Sequence, residues 1–304
     1  MVHLKVNTPI SISPGKWFSQ INNYTDMIIQ FNKKEIAFFS RTHIMGILNV
    51  TPDSFSDGSN FFKFEDAVKQ GIKMTEEGAD IIDVGGESTR PGSNPITIEE
   101  ELSRVIPVIE SLSKQIDVPI SIDTYKAKVA QEALDAGAQM INDISALRFD
   151  PEMKKIAAEF NVPVALMHIK GTPRNMQENP WYQDVIGEIT EYLKESIKIA
   201  QKAGIDKDKI IIDPGIGFGK RLEDNLNILK NLKKFSILNC PILIGCSRKS
   251  FIGRILDLPV EERLEGSLAV LAVAIMNGAN IVRVHDVKES KRIASLVDAI
   301  LRAD

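Results

Sequence analysis

The sequence predicts an α/β fold and, within that class, a (β/α)8 barrel preceded by an N-terminal extension of short strands. Short apolar runs of strand length alternate with amphipathic stretches of helical spacing from Ile44 to the end of the chain. Eight such runs follow one another, which is the number a closed barrel needs. Polar residues come directly after nearly every run, at the strand ends that meet on one rim of a barrel.

The first forty residues have a different pattern from the rest of the chain. Short alternating segments at residues 4–6, 27–31 and 36–39 are separated by turn-forming Pro, Gly and Asn. We interpret these segments as strands or hairpins that pack at one end of the barrel. We therefore assign residues 1–42 to the extension and residues 43–304 to the barrel domain.

The eight predicted barrel strands are short and are followed by helical stretches. They lie at residues 44–48, 81–84, 119–122, 140–141, 163–167, 210–212, 241–244 and 281–284. Gly78, Gly137 and Gly278 each come just before a strand, where a glycine typically ends the preceding helix. A doubly wound open sheet is the alternative fold. It usually has fewer strands, and no G-x-G-x-x-G dinucleotide motif follows the first run here.

Composition and charge exclude several classes of partner. A formal net charge of -4 argues against nucleic acid as the main partner, because neutralising phosphates needs a basic face. No apolar run approaches the roughly 18 residues that span a bilayer, and the polar N-terminus lacks a signal peptide core. We expect no membrane partner and a cytoplasmic location. Cys240 and Cys246 flank one short strand, which is a poor placement for a disulfide framework.

One predicted helix, at residues 267–276, is apolar nearly all round. A helix of this kind is buried on more than one side, so we expect it to pack against both the barrel and a second subunit in a homodimer. The alternative is that the N-terminal extension covers it within one chain.

The polar residues after the runs form the strongest functional signal. They are Asn49, residues 85–92, Asp123 and Thr124, Asn142 and Asp143, His168, Asp213, residues 247–250, and Arg283 with His285. A single Asp after a strand is usually a helix cap. Capping does not explain so many polar positions at one rim, where active sites of barrels are built.

Two chemical groups can be separated among these residues. Asp123, Asn142 and Asp213 supply hydrogen-bond acceptors and an amide, a set that suits a flat heterocycle with several N–H donors. Lys249, Arg283, His285 and Arg90 supply cationic donors that suit phosphate or diphosphate. Asn49 follows the first strand, where its side-chain carbonyl can reach a hard cation or a phosphate-bound metal.

With these residues placed, the chain resembles the dihydropteroate synthase family of folate-pathway transferases from about Ile44 to its end. Eight motifs carry the resemblance, in order and at compatible spacing. They are MGILNVTPDSFSDG (45–58), DVGGESTRPG (83–92), SIDT (121–124), IND (141–143), MHIKGTP (167–173), DPGIGFGK (213–220), GCSRKSFIG (245–253) and RVHDV (283–287).

The resemblance implies a reaction and a cofactor. (7,8-Dihydropterin-6-yl)methyl diphosphate and 4-aminobenzoate would give 7,8-dihydropteroate and diphosphate, with Mg²⁺ bound by Asn49 and by the diphosphate. The pterin ring would be held by Asp123, Asn142, Asp213 and Lys249. The diphosphate would be held by Thr89, Arg283 and His285. The residues implied in catalysis are Lys249, Arg283 and His285.

The second substrate, 4-aminobenzoate, would lie against residues from several loops. The implied set is Phe55, Thr89, Arg90, Pro91, Phe218, Lys249 and Ser250, with the substrate carboxylate near Ser250. Asp57 and Arg90 belong to loops that close over the site in this family. The resemblance gives no role to Asp83, and it favours a structural or pocket-lining role for His168 over proton transfer.

Two alternatives share the pterin pocket. A pterin-dependent methyltransferase of the same fold would not need the aminobenzoate loops or a diphosphate cluster, and both the STRPG and SRKS segments are intact here. A pterin-binding protein without turnover would be expected to lack Asn49, Lys249 or Arg283, and all three are present.

Overall fold

The computed structural model describes residues 28–31, 34–51 and 60–303. Two short strands form an antiparallel pair, β1 (Ile28–Gln30) and β2 (Glu35–Ala37). The predicted segment at residues 4–6 and the predicted aminobenzoate and lid residues Phe55 and Asp57 lie outside the described residues. The predicted strand pair ahead of the barrel is confirmed for residues 28–37. The assignment of residues 1–42 to an extension stays a proposal.

Eight parallel strands form the barrel, as predicted. They are β3 (His43–Asn49), β4 (Ile81–Gly85), β5 (Ile120–Asp123), β6 (Met140–Asp143), β7 (Val164–Met167), β8 (Ile210–Asp213), β9 (Leu243–Ile244) and β10 (Ile281–Val284). The order around the sheet is β8-β7-β6-β5-β4-β3-β10-β9, all parallel. A parallel bridge between Ile212 on β8 and Ile242, the residue directly before β9, closes the ring.

Helices cover the outside of the barrel. They are α1 (Asn60–Glu76), α2 (Ile98–Leu112), α3 (Ala127–Asp135), α4 (Met153–Glu159), α5 (Val185–Lys202), α6 (Leu222–Lys230), α7 (Ser250–Leu256), α8 (Leu264–Met276) and α9 (Val287–Leu301). The predicted helix-ending glycines Gly78, Gly137 and Gly278 have φ angles of 102°, 115° and 100°. A side chain is strained at such angles, which explains glycine at these positions. Within the described ranges, no helix is both long and apolar enough to cross a membrane.

Alternation along the strands divides the core into an outer and an inner layer. Side chains such as Ile44, Ile82 and Val282 belong to the large outer cluster that packs against the helices. The residues next to them point inward, because successive side chains of a strand face opposite sides. The inward residues at the amino ends of the strands are apolar: Met45, Ile81, Met140, Ala165, Ile211, Leu243 and Ile281.

The strand pair β1–β2 closes this apolar end of the barrel. Ile29, Phe31, Ile36 and Phe38 join the inward-facing apolar residues in one buried cluster. The predicted packing of the extension at one end of the barrel is therefore confirmed for these residues. The opposite end, where the strands finish in polar side chains, remains available for a ligand.

Candidate active site

The polar pocket lies one step along the strands from the apolar cluster. Moving two residues from Met140, Ile211 and Ile281 keeps the side chain inside the barrel and reaches Asn142, Asp213 and Arg283. The same step from Ala165 and Leu243 reaches Met167 and Gly245. All five of the residues reached in this way line one cavity. Two residues of a strand span about 7 Å, so the apolar cluster and this mainly polar cavity are adjacent layers inside the barrel.

The cavity contains about 350 Å³ of space, a volume that includes open solvent at its mouth. It brings together many of the residues that the sequence predicted. Those lining it are Thr89, Asp123, Asn142, Asp213, Phe218, Lys249 and Arg283, together with Ile144, Met167, Ile216 and Gly245. The apolar members provide walls for a flat ring, and the polar members converge at its edges.

Arg283 is fixed by two carboxylates. Its Nε donates to Asp83 Oδ2 and its Nη2 donates to Asp123 Oδ2, each at 2.6 Å. Burial lowers the pKa of Arg283, but the neighbouring carboxylates of Asp83 and Asp123 outweigh that effect and raise it. Nη1 makes no hydrogen bond to the described residues, so part of the guanidinium fork remains for an anion.

Asp83 orients a second pocket residue as well. Its Oδ2 accepts from Asn142 Nδ2 at 2.9 Å. Because an ionised carboxylate only accepts, the amide nitrogen must face Asp83 and the amide oxygen of Asn142 is left for other partners. The sequence suggested no role for Asp83. In the structure, Asp83 orients Asn142 and Arg283 from beneath the pocket.

Asp123 offers an unused acceptor. Its Oδ1 is buried and has no hydrogen-bond partner, whereas Oδ2 is held by Arg283. Burial raises the pKa of Asp123 to about 7, although Arg283 opposes the shift. A buried acceptor without a partner is costly, so a ligand N–H placed here would gain a strong hydrogen bond.

Asp213 and Lys249 form the other polar side of the pocket. Asp213 Oδ1 accepts from the Gly215 backbone N–H at 2.7 Å, while burial raises its pKa to about 6. Burial also lowers the pKa of Lys249 to about 8, with Asp213 opposing the shift. The Lys249 ammonium nitrogen lies 4.3 Å from the centre of the Phe218 ring, a cation–π distance. Lys249 thus lies between the carboxylate and the aromatic wall.

A glycine-rich loop holds Phe218 in place. A Cβ on Gly215 or Gly219 would lie 2.0 Å from the His168 carbonyl oxygen or 2.4 Å from that of Lys170, so only glycine fits at either position. Lys220 Nζ, which is buried, donates to the Phe218 carbonyl oxygen at 2.9 Å and lies 2.9 Å from His168 Nδ1. Burial, followed by the charge of Lys220, lowers the pKa of His168 well below its usual value. His168 does not line the cavity, which agrees with a structural role.

Asn49 lies beside the pocket, close to Gly85. A Cβ on Gly85 would lie 3.6 Å from Asp123 Oδ2 and 3.8 Å from Asn49 Oδ1. Asn49 on β3 and Asp123 on β5 therefore flank Gly85 on β4, and Asp123 Oδ2 is already paired with Arg283. Mg²⁺ prefers oxygen ligands and commonly takes one or two from the protein and the rest from substrate phosphates and water. Asn49 Oδ1 is the oxygen that fits a magnesium ion brought with a diphosphate.

Several predicted site residues lie outside the cavity lining. Arg90, Pro91 and Ser250 are exposed, and Ser250 begins α7 as the sequence predicted. His285 Nδ1 lies 3.0 Å from Ser247 Oγ, and burial lowers the pKa of His285 to about 4. From the sequence, we predicted that His285 is a cationic donor. In this structure the ring is neutral at pH 7, because burial and the nearby Arg283 disfavour the imidazolium.

Four lining residues and two supporting residues were not among the predicted site residues. The lining residues Ile144, Met167, Ile216 and Gly245 are apolar and gave no chemical signal. Two of them, Met167 and Gly245, could have been found by stepping two residues from the inward apolar positions. Asp83 obeys the same step from Ile81. Lys220 could not have been found this way, because its contacts with His168 join two different loops.

Comparisons with known proteins identify the family to which the chain belongs. Residues 45–285 match the pterin binding enzyme family. The chain is 50% identical over 274 residues to the dihydropteroate synthase of Bacillus subtilis, covering 90% of this chain and 94% of that protein. It is also 50% identical over 264 residues to the dihydropteroate synthase of Escherichia coli K12, covering 87% of this chain and 93% of that protein.

Solved structures give the same result. Dihydropteroate synthase from Xanthomonas albilineans with 4-aminobenzoic acid superposes with a TM-score of 0.87 and 43% identity, covering 92% of this chain and all of that one. The enzyme from Clostridium difficile, solved in the presence of pteroic acid, has a TM-score of 0.82 and 47% identity, covering 86% of this chain and 98% of that one.

Proposed function

We propose a residue-level mechanism from one established premise: the chain belongs to the pterin binding enzymes and, within them, to the dihydropteroate synthases. It condenses (7,8-dihydropterin-6-yl)methyl diphosphate with 4-aminobenzoate to give 7,8-dihydropteroate and diphosphate. The observation that carries the mechanism is the convergence of Asp123, Asn142 and Asp213 on one cavity with Arg283 at its edge.

The pterin ring is recognised by acceptors that match its N–H donors. Asp123 Oδ1 has no partner of its own, and the amide oxygen of Asn142 is directed away from Asp83. Asp213 adds a second carboxylate across the cavity, beside Lys249. Lys249 donates to an acceptor on the ring. The contact with Phe218 keeps the lysine side chain in the pocket while its ammonium group turns to the ligand.

Departure of the diphosphate requires cationic donors. Arg283 supplies the free part of its guanidinium, held in position by Asp83 and Asp123, and so stabilises the charge that grows on the leaving oxygen. Thr89 and His285 donate hydrogen bonds to the same group. Because His285 is neutral before an anion binds, it acts first as an N–H donor.

Asn49, whose Oδ1 lies beside Gly85, would hold a magnesium ion on the diphosphate. When bound, the ion supplies Lewis-acid stabilisation of the leaving group. The protein's own part is to present the Asn49 amide oxygen at the same rim as Arg283.

The amine of 4-aminobenzoate must be positioned for attack, but it does not need a strong base. Breaking the C–O bond leaves an electron-poor methylene that the pterin ring stabilises, and the amine lone pair then forms the C–N bond. The proton released from the new ammonium passes to water. Phe218 and Thr89 border the cavity where the amine must approach, and Phe55, Arg90, Pro91 and Ser250 complete the proposed aminobenzoate subsite. Asp57 and Arg90 are the proposed lid residues.

The experiment that tests this function is an omission assay. The purified chain with both substrates and Mg²⁺ should form 7,8-dihydropteroate and diphosphate in equal amounts. Leaving out 4-aminobenzoate should stop steady-state release of diphosphate while pterin binding remains. Binding of the pterin diphosphate without turnover in the complete mixture would favour the non-catalytic alternative. Methyl transfer from a methyl-folate would favour the methyltransferase alternative.

The pH dependence of kcat/KM for the pterin substrate should be bell-shaped. Asp213 and Asp123, with pKa values of about 6 and about 7, must lose their protons, so activity rises with pH in that range. Lys249, with a pKa of about 8, must keep its proton, so activity falls as pH rises past that value. In Lys249→Arg the alkaline limb should disappear, because a guanidinium stays charged. An unchanged alkaline limb would remove Lys249 from this role.

Asn49 should set the magnesium requirement. In Asn49→Ala the Mg²⁺ concentration for half-maximal activity should rise by about tenfold or more, because one oxygen ligand is lost. Asn49→Asp keeps an oxygen at the same position and serves as the matched variant. Equal magnesium titrations for the wild-type chain and Asn49→Ala would contradict the assignment.

We also propose a homodimer through α8 and the adjacent α9. Met276 on α8 is 62% exposed and Ile300 on α9 is equally exposed, although both are large and apolar. Met276→Glu should convert a dimer to a monomer in sedimentation equilibrium, since a charge would be buried in the interface. Ile98→Glu, an exposed apolar position on α2, is the control. A wild-type chain that sediments as a monomer would exclude the proposal.

The cytoplasmic location also stays a proposal, testable by cell fractionation.

A further inference from the structure

One lysine ammonium group joins both ends of the loop between β4 and α2. Lys126 Nζ donates to Glu87 Oε2 at 2.6 Å, near the beginning of the loop. It also donates to the backbone oxygen of Ile96 at 2.9 Å, near the end of the loop. Residues 88–95 therefore project from a closed base. We call Glu87, Ile96 and Lys126 the loop neck.

The charged side chains of the neck are largely buried and have several further contacts. The second oxygen of Glu87, Oε1, accepts from Tyr125 OH at 2.6 Å, and Oε2 also accepts from the Ile96 backbone N–H at 3.2 Å. Lys126 donates to Glu101 Oε2 on α2 at 2.6 Å. The side chains of Glu87, Lys126 and Glu101 are 6%, 13% and 1% exposed. Buried charges of this kind hold their geometry, because breaking one contact leaves an uncompensated charge.

The loop beyond the neck belongs to the active site. Thr89 lines the cavity, two residues after Glu87. The tip contacts the loop after β7 through a hydrogen bond from Gly92 N to the Pro173 oxygen at 3.0 Å. Tyr125, which bonds Glu87, packs against the same apolar cluster as Phe218. The neck therefore contacts two parts of the active site. One is the loop that carries Thr89, and the other is the apolar cluster against which Phe218 packs.

We propose that Lys126 and Glu87 are positioning residues for the arylamine subsite, which act by fixing the base of the loop that carries Thr89, Arg90 and Pro91. This inference rests on the proposed function, since the loop is assigned to 4-aminobenzoate there. The side chains of Lys126 and Glu87 do not line the cavity. Their effect passes through the backbone of residues 88–95, so it falls on the second substrate rather than on the pterin.

The physical reason is the separation of the two binding regions. Asp123, Asn142 and Asp213 lie at the ends of strands, whose backbones are held by the barrel. Thr89 lies on a loop whose shape depends on the neck. Loss of the neck should let the loop sample more conformations. Ordering it again on binding then costs free energy, which raises KM for the substrate that the loop contacts.

The test separates the two substrates kinetically. Lys126→Met should raise KM for 4-aminobenzoate by about tenfold or more at saturating pterin diphosphate, with a smaller change in kcat. The dissociation constant for pterin diphosphate alone, measured by calorimetry, should stay within about twofold of wild type, as expected for a site on the strands. Amide hydrogen exchange at residues 88–95 should accelerate in the same variant.

Matched variants keep the test decisive. Lys128→Met removes a lysine two residues away that pairs with Glu132 on the surface, and it should change neither constant. Lys126→Arg keeps the charge and should restore most of the wild-type KM. If Lys126→Met does not fold, Glu87→Gln is used, because it retains the side-chain volume and loses the ion pair. It should raise the same KM severalfold.

Two results would overturn the proposal. One is an unchanged KM for 4-aminobenzoate in both Lys126→Met and Glu87→Gln. The other is a proportional loss of pterin affinity in these variants, which would indicate a general structural defect. Failure of the proposed function would be seen separately, as a wild-type chain that releases no diphosphate with both substrates present.

Discussion

Arg283→Met should reduce kcat/KM by roughly 10³-fold, the size of effect seen when a preorganised charge-stabilising donor is removed. Arg283 provides the cationic donor that we place on the departing diphosphate. The same substitution leaves Asp83 and Asp123 without their shared partner. We therefore expect the free energy of unfolding to fall by about 3–5 kcal/mol, the usual cost of breaking a buried ion pair from one side.

A double variant distinguishes the two effects of Arg283. In Arg283→Met with Asp83→Asn, one of the unpaired carboxylates is neutral, so denaturant unfolding should show partial recovery of stability. Activity should not recover, because the guanidinium is still missing. Arg283→Lys should be intermediate, since one ammonium group cannot reproduce the fork that contacts both carboxylates. Recovery of activity in the double variant would assign Arg283 a structural role only.

Asp123→Ala should weaken binding of pterin diphosphate by about 10–100-fold, the range that corresponds to one hydrogen bond to a charged group. The substitution removes the buried Oδ1, which has no partner in the structure, and so leaves a pterin N–H unsatisfied. Titration calorimetry in the absence of 4-aminobenzoate measures this directly. Asp135→Ala, at an exposed position on the helix that follows, is the control. Unchanged affinity would remove Asp123 from the pterin pocket.

The charge state of Asp123 gives the same variant a second readout. Because burial raises its pKa to about 7, the wild-type affinity should decline as pH falls through that value. The ionised carboxylate accepts on both oxygens, and protonation turns one of them into an O–H donor. Asp123→Ala should lose this part of the pH dependence.

The barrel could be predicted because its local and global patterns agree. The apolar runs have strand length, and Gly78, Gly137 and Gly278 occupy backbone angles that disfavour other residues. The rim residues Asp123, Asn142 and Asp213 could be placed because the ends of parallel strands converge. These conclusions need only the period of a strand and the closure of the barrel.

Other features depend on contacts that no local pattern contains. Asp83 lies within an apolar run, and its role requires knowing that Arg283 and Asn142 reach it across the barrel. The neutral state of His285 follows from burial, which a sequence does not display. Lys126 is similar: its partners Glu87 and Ile96 are distant in sequence and meet only because the loop returns to α2.

The most direct test of the central claim is a crystal structure of the chain with 7,8-dihydropterin and diphosphate. We predict that the ring occupies the cavity within the barrel rim, with its N–H donors within hydrogen-bond distance of Asp123 Oδ1, Asn142 Oδ1 and the Asp213 carboxylate. The diphosphate should contact the free edge of Arg283. A ring bound elsewhere, with Asp123 Oδ1 still unpartnered, would contradict the claim that these inward-facing side chains form the pterin site.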